Sequence, residues 1–238
     1  MSPNQNQRLE EDARSLGKPV HQVAVGLDRA LWEAGPNPVT DFADALEFEG
    51  KPVMPPETRQ GWEALGRFRD ALTQFLVGKS AAFIGGVAVR SYGGRTGATL
   101  DFDILIDPAL LQEVTSFLKR EGAQLFGTVE ATYTFHLKPS NTDVDMRVAV
   151  SPLDREALAT AKEASFRDRK LQIVRPAPLA AMKLKAYSER KDDPIKGGID
   201  RSDVLGLIRS GATSEQEVRE ILVRFRPDLL RELDEILA

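Results

Sequence analysis

Residues 100–106 read Leu-Asp-Phe-Asp-Ile-Leu-Ile, a strand pattern that sets two carboxylates against large apolar side chains. Side chains alternate along a strand, so Asp101 and Asp103 share one face while Leu100, Phe102 and Ile104 share the other. A second segment repeats the device: Asp143, Asp145 and Arg147 take one face, and Val144, Met146 and Val148 the other. Like charges side by side repel, and a divalent cation between them is the simplest explanation for such a surface. If the two strands are neighbours, three carboxylates converge. Hard oxygen donors without Cys or His suit Mg²⁺ or Mn²⁺, completed by water and a substrate phosphate. The plainer reading is a solvated sheet face, with Asp107 as a helix cap. Asp143 and Asp145 compete for the third place; Asp145 is preferred because Val144 and Met146 flank it, as inside a strand.

The segment before the first pair adds a second constraint. Ser80-Ala-Ala-Phe-Ile84 reads as a short strand running into Gly85-Gly86 and a helix of small residues, 16 residues ahead of Asp101. Backbone without side chains approaches a phosphate closely, and free N–H groups at a helix start attract an anion. A Gly-Gly pair alone has a bland explanation, since any tight strand–helix turn uses one.

Periodicity supplies the rest of the outline. Trp62, Leu65, Phe68, Leu72, Phe75 and Leu76 recur at helical spacing over 57–77, and 108–121 reads as an amphipathic helix. Thr132–Lys138 and Thr142–Val150 alternate like neighbouring strands about a turn at 139–141, and Leu171–Val174 reads as another strand. Helices are expected at 177–189, 199–209, 214–225 and 227–237. Residues 1–16 read as a short polar helix or a frayed tail, 19–34 have loose helical spacing, and five prolines between 36 and 56 break the chain into turns and loops. Trp32, Phe42 and Phe48 are expected to pack in a small core. The expected division is an N-terminal extension at 1–60, mostly helical and loop, a core at 61–176 and a helical region at 177–238.

The 238 residues contain no cysteine, which excludes a disulfide framework and any thiolate metal site. Two histidines, His21 and His136, leave little room for a His-rich one. The net charge of −4 argues against a protein that coats nucleic acid. Its distribution is uneven: residues 162–201 carry a net positive charge between two acidic segments, so an anion is expected to be handled there. A solvated helix face is the alternative. The longest apolar stretch, 81–89, is too short to cross a membrane, and the polar opening MSPNQNQRLEED is unlike a signal peptide. A soluble cytoplasmic protein is expected.

Taken together, IGGVAVRSYGGRTGATLDFDILID followed by TDVDMRVAV resembles the DNA polymerase β-type nucleotidyltransferase superfamily. Within it, Tyr92-Gly93, Thr99, the helical segment around Lys183 and the element Asp200-Arg-Ser-Asp203-Val204 up to Leu207 are similar to the AbiEii-like abortive-infection toxins. The resemblance covers roughly 78–210. It implies an α+β fold, a mixed nucleotidyltransferase-type sheet flanked by helices. It also implies Mg²⁺- or Mn²⁺-dependent transfer of a nucleoside monophosphate from an NTP to a hydroxyl acceptor, releasing pyrophosphate. Carried over, Asp101 and Asp103 hold both metals, and Asp145 binds the metal that activates the acceptor and helps take its proton. Gly85 and Gly86 cradle the triphosphate, and Lys183 contacts phosphate. Lys185, Arg190, Arg90, Arg95 and Ser91 are weaker candidates.

The sequence departs from the pattern in two places. Gly97 stands where many relatives carry arginine, with Arg95 as a possible replacement, and Ile199 stands where they carry lysine. Asp200 and Asp203 are therefore open to a helix-stabilising role. The acceptor stays open: tRNA or other RNA, in a toxin-like enzyme that would have a cognate antitoxin, or a small molecule of the aminoglycoside type. A non-catalytic nucleotide-binding regulatory module of the same fold is the reading from a different class.

Overall fold

The computed structural model describes residues 56–95 and 101–238. The expectations for residues 1–34, for Phe42 and Phe48, and for Thr99 and Leu100 lie outside the described residues.

Apolar spacing over the first described segment produces helix α1, Pro56–Leu76, which buries Leu65, Phe68, Leu72 and Leu76. Strand β1, Ala81–Phe83, follows, then the short helix α2, Gly85–Ser91, and strand β2, Phe102–Ile106. Asp107 caps the next turn by accepting from the Ala109 N–H, and helix α3 runs Leu111–Arg120. Strands β3, β4 and β5 occupy Gln124–Val129, Thr132–Leu137 and Thr142–Val148. Asn141 takes the left-handed conformation that closes the β4–β5 turn. Helix α4, Pro152–Ala159, precedes strands β6, Lys162–Phe166, and β7, Arg169–Ile173. Helices α5 to α8 complete the chain at Pro176–Glu189, Lys196–Arg209, Glu215–Phe225 and Leu230–Leu237.

The seven strands form one mixed sheet in the order β3-β4-β5-β2-β1-β7-β6. The pairs β2–β5 and β1–β7 are parallel, and the other neighbours are antiparallel. Burial explains why β2 and β5 meet although about 40 residues separate them. Phe102, Ile104 and Ile106 join Val144, Met146 and Val148 in a single buried layer. Removing that much apolar surface from water outweighs the cost of closing the loop. Phe68 of α1 packs its ring on Phe102, and Phe75 stacks on Phe117 of α3, so this layer is roofed by helices. The acidic side chains are thereby sent to the opposite face. There α5, with Leu179 and Leu184 fully buried, packs against α2, α4 and α6.

Three elements were not anticipated: β3, α4 and β6. β3 is an edge strand whose Leu125, Phe126 and Val129 are all exposed, so it has no alternation to read. α4 did carry a sequence signature, because Ser151 and Asp154 form a capping box. β6 is charged and hairpin-paired to β7 through a tight turn with Arg167 at φ 54°.

Candidate active site

The register of the sheet turns two acidic motifs into a grid. Asp103 on β2 stands directly across from Asp145 on β5, and Asp145 directly across from Thr134 on β4. Thr134 donates its hydroxyl to Asp145 Oδ1 at 2.6 Å. One row away, Asp143 lies across from His136, whose Nδ1 is 2.8 Å from Asp143 Oδ1. The Asp143 N–H donates to Asp101 Oδ1 at 3.3 Å, which aligns Asp101 with that second row. Two rows result on one face, Asp103–Asp145–Thr134 and Asp101–Asp143–His136.

Beyond β2 the first row continues into the glycine turn. Gly85 has φ +62°, and a Cβ there would stand 1.8 Å from Asp103 Oδ2, so conformation and space both demand glycine. The Gly86 N–H donates to the same oxygen at 3.4 Å. Burial first, then the charges of Asp145 and Asp101, push the Asp103 carboxyl up to about 6 despite Lys183 and the Gly86 amide. Asp101 is raised in the same direction, by burial and then by Asp143 and Asp145, against the Asp143 N–H. The cluster therefore holds its negative charge at a cost that a cation would relieve.

Lys183 is not the solvated lysine of an amphipathic helix. Its Nζ lies 3.0 Å from Asp200 Oδ1 and 2.9 Å from Asp203 Oδ2, with both carboxylates buried. Burial works to lower its pKa, but Asp203 and Asp200 outweigh it and hold the ammonium charged. Arg95 clamps Asp203 from the other side, with Nη2 at 2.6 Å from Oδ2. A close approach of α6 to the loop after α2 makes that clamp possible: a Cβ on Gly206 would meet the Gly94 carbonyl oxygen at 2.0 Å. Asp203 thus has its carboxyl below the usual range, burial being overcome by Lys183 and Arg95.

Asp103, Asp145, Gly85 and Lys183 line one cleft, together with Thr132, Arg147, Lys185, Glu189 and Arg190. Asp101, Asp143 and His136 lie outside that lining. The weaker candidates have local partners. Arg190 pairs with Asp200, Lys185 with Glu189 and Glu130, and Ser91 Oγ donates to the Val87 carbonyl. Arg90 keeps one buried guanidinium nitrogen without a hydrogen-bond partner. Tyr92 donates to the Val174 carbonyl at 3.0 Å, and burial raises its pKa. Arg147, which alternation places on the acidic face, enters the cleft wall and is held by buried Asp154 through bonds of 2.8 and 3.1 Å. The capping box that places Asp154 is the sequence signal that would have located it.

The donors are all oxygen, which fits a hard cation such as Mg²⁺ or Mn²⁺. In this conformation each carboxylate is turned to a protein donor, and among the described residues no three His, Cys, Asp or Glu groups are close enough to share one ion.

No family model matches the chain, and no curated protein matches it significantly. Solved structures do. The solution structure of the antibiotic-resistance factor ANT(2'')-Ia aligns with TM-score 0.51 at 15% identity, covering 72% of this chain and 94% of that one. A nucleotidyltransferase-like antigenic protein from Paracoccidioides brasiliensis aligns with TM-score 0.40 at 20% identity, over 75% and 91%. ANT(2'')-Ia in complex with adenylyl-2''-tobramycin aligns with TM-score 0.46 at 15% identity, over 71% and 95%. The likeness to the first establishes the fold, a nucleotidyltransferase-type mixed sheet flanked by helices.

Proposed function

We propose that this chain is a divalent-cation-dependent nucleotidyltransferase, moving a nucleoside monophosphate from an NTP to a hydroxyl acceptor with release of pyrophosphate. The observation that carries the reading is the first row of the grid: Asp103 faces Asp145 on one side and the Gly85–Gly86 backbone on the other. Asp101, Asp103 and Asp145 would hold the cation once turned from the protein donors that take them in this conformation. When bound, it would offset phosphate charge and ease ionisation of the acceptor hydroxyl.

The chain's own residues divide the remaining work. The Gly85–Gly86 turn lets phosphate oxygens approach the backbone without meeting a side chain. Lys183, kept charged by Asp200 and Asp203, presents an ammonium near Asp103 for the phosphates. Asp145, at the acceptor end of the row, orients the attacking hydroxyl, and Thr134 fixes its carboxylate.

The cleft favours a small acceptor over RNA. Beside Lys183, its cations Arg147, Lys185 and Arg190 are each matched by a carboxylate of the chain, so they offer no unpaired charge to a phosphate backbone. The resemblance to abortive-infection toxins supports the other reading, transfer to tRNA under control of an antitoxin. Incubation with each α-labelled NTP and Mg²⁺ tests both, using total RNA in one arm and aminoglycosides in the other. Label on the aminoglycoside arm supports the small-molecule reading, and label on RNA overturns it in favour of the toxin-like one. Loss of all transfer in Asp101→Ala/Asp103→Ala is expected. A wild-type chain that transfers to neither, and gains no thermal stability from Mg²⁺ with NTP, is not this enzyme.

A further inference from the structure

The second row of the grid contains His136, the one histidine among the described residues, and the proposed chemistry has not used it. In-line transfer requires the attacking and leaving oxygens to lie on opposite sides of the phosphorus. With the triphosphate at Gly85–Gly86, beyond β2, the pyrophosphate leaves on the β1 side and the acceptor stands over β5 and β4. On this face β4 carries Thr132, Thr134 and His136, because side chains alternate along it. Of these three, His136 alone offers a ring nitrogen that can accept a proton. Its row lies beside the cleft lined by Asp103, Asp145 and Lys183, one row along the sheet.

We propose that His136 is the catalytic base that receives the proton of the acceptor hydroxyl, and that Asp143 is the positioning residue that holds its ring. This rests on the nucleotidyl-transfer reading. An ionised Asp143 can only accept a hydrogen bond, so Nδ1, 2.8 Å from it, carries the ring proton and Nε2 is left as the bare acceptor. Asp143 is itself fixed by its backbone bond to Asp101. Across the sheet β3 offers only the neutral Gln124 at this register, and Lys138, the next position along, is exposed in the turn. The imidazole–carboxylate pair is half-exposed, at 29% and 39%, so an acceptor can reach it. In the step, the acceptor oxygen bonds to the α-phosphorus as the bond from that phosphorus to the pyrophosphate oxygen breaks. The leaving oxygen takes the electron pair, and the proton passes to His136 Nε2.

His136→Gln separates this role from a structural one, because the amide still donates to Asp143 but does not take up a proton near neutral pH. Wild type and variant are compared with α-labelled ATP and Mg²⁺, using water, total RNA and tobramycin as acceptors. A drop in kcat of about 10²–10⁴-fold is expected, with KM for ATP and the melting temperature unchanged. The rising limb of the wild-type pH–rate profile should vanish in the variant. Nitrogen NMR of the histidine rings gives a readout free of turnover: the neutral His136 ring is expected protonated on Nδ1, and Asp143→Asn should release that preference. A fully active His136→Gln, or a neutral ring protonated on Nε2, overturns the proposal while leaving the enzyme reading intact. A wild-type chain inactive on all three acceptors removes the enzyme reading, and this proposal with it.

Discussion

Gly85 lies directly over Asp103, so close that a Cβ on the glycine would stand 1.8 Å from the carboxylate's Oδ2. The contact joins the two halves of the site, the phosphate cradle and the first acid, through backbone alone. Gly85→Ala is therefore expected to displace Asp103 and to strain a position at φ +62°. Urea unfolding should show a loss of about 1–3 kcal/mol, together with loss of nucleotidyl transfer. Unchanged stability would mean that the turn is not held as described.

Asp103→Asn and Asp145→Asn each remove one charge from the row that faces the phosphates. Each is expected to lower transfer by about 10²–10³-fold or more, the scale for losing one preorganised electrostatic group. Each should also abolish the thermal stabilisation by Mg²⁺ with NTP, worth about 2.7 kcal/mol at 100 times Kd in the wild type. Calorimetry with and without chelator checks the second effect independently of the first.

Asp203 has a depressed carboxyl because Lys183 and Arg95 outweigh its burial. A folded-state pKa below the unfolded one contributes stability that is complete above the unfolded value, about 3.9, and is lost as pH falls through the folded value. The wild type should thus lose stability as pH falls below about 4. Asp203→Asn should be less stable at pH 7 by about 3–5 kcal/mol, the cost of breaking a buried pair. Its acid limb should be flatter; parallel pH curves for the two proteins would argue against the assignment.

Lys183→Met leaves Asp203 with Arg95 and Asp200 with Arg190, so the C-terminal helices keep their partners. NTP binding is expected to weaken by about 1.5–3 kcal/mol, the range for a hydrogen bond to a charged group. Fluorescent-nucleotide titration measures it. Equal affinity would make Lys183 a purely internal cation.

Much of this architecture was legible in the chain. The alternation in 102–106 and 142–148, the glycine pair and the four C-terminal helices all stand where their periodicity put them. These features were readable because side-chain alternation, helical spacing and a positive φ are local properties. What escaped was either without periodicity, as in the exposed edge strand β3, or carried by contacts distant in sequence. The basic segment 162–201 is the clearest case. Its excess charge points to an anion, yet Arg167 pairs with Asp70, Lys183 with Asp203, and Lys191 with Glu232 and Glu235. Much of the excess is answered by acids elsewhere in the chain.

The choice between Asp143 and Asp145 shows the same division. Strand alternation alone turns both away from the apolar layer, since each sits between buried residues of one strand. That Asp145 stands opposite Asp103 while Asp143 turns to His136 is settled by contacts between strands distant in the chain. That outcome follows from the register of β5 against β2 and β4. The register is set by the packing of Phe102, Ile104, Val144 and Met146 beneath the sheet, on the face opposite the carboxylates.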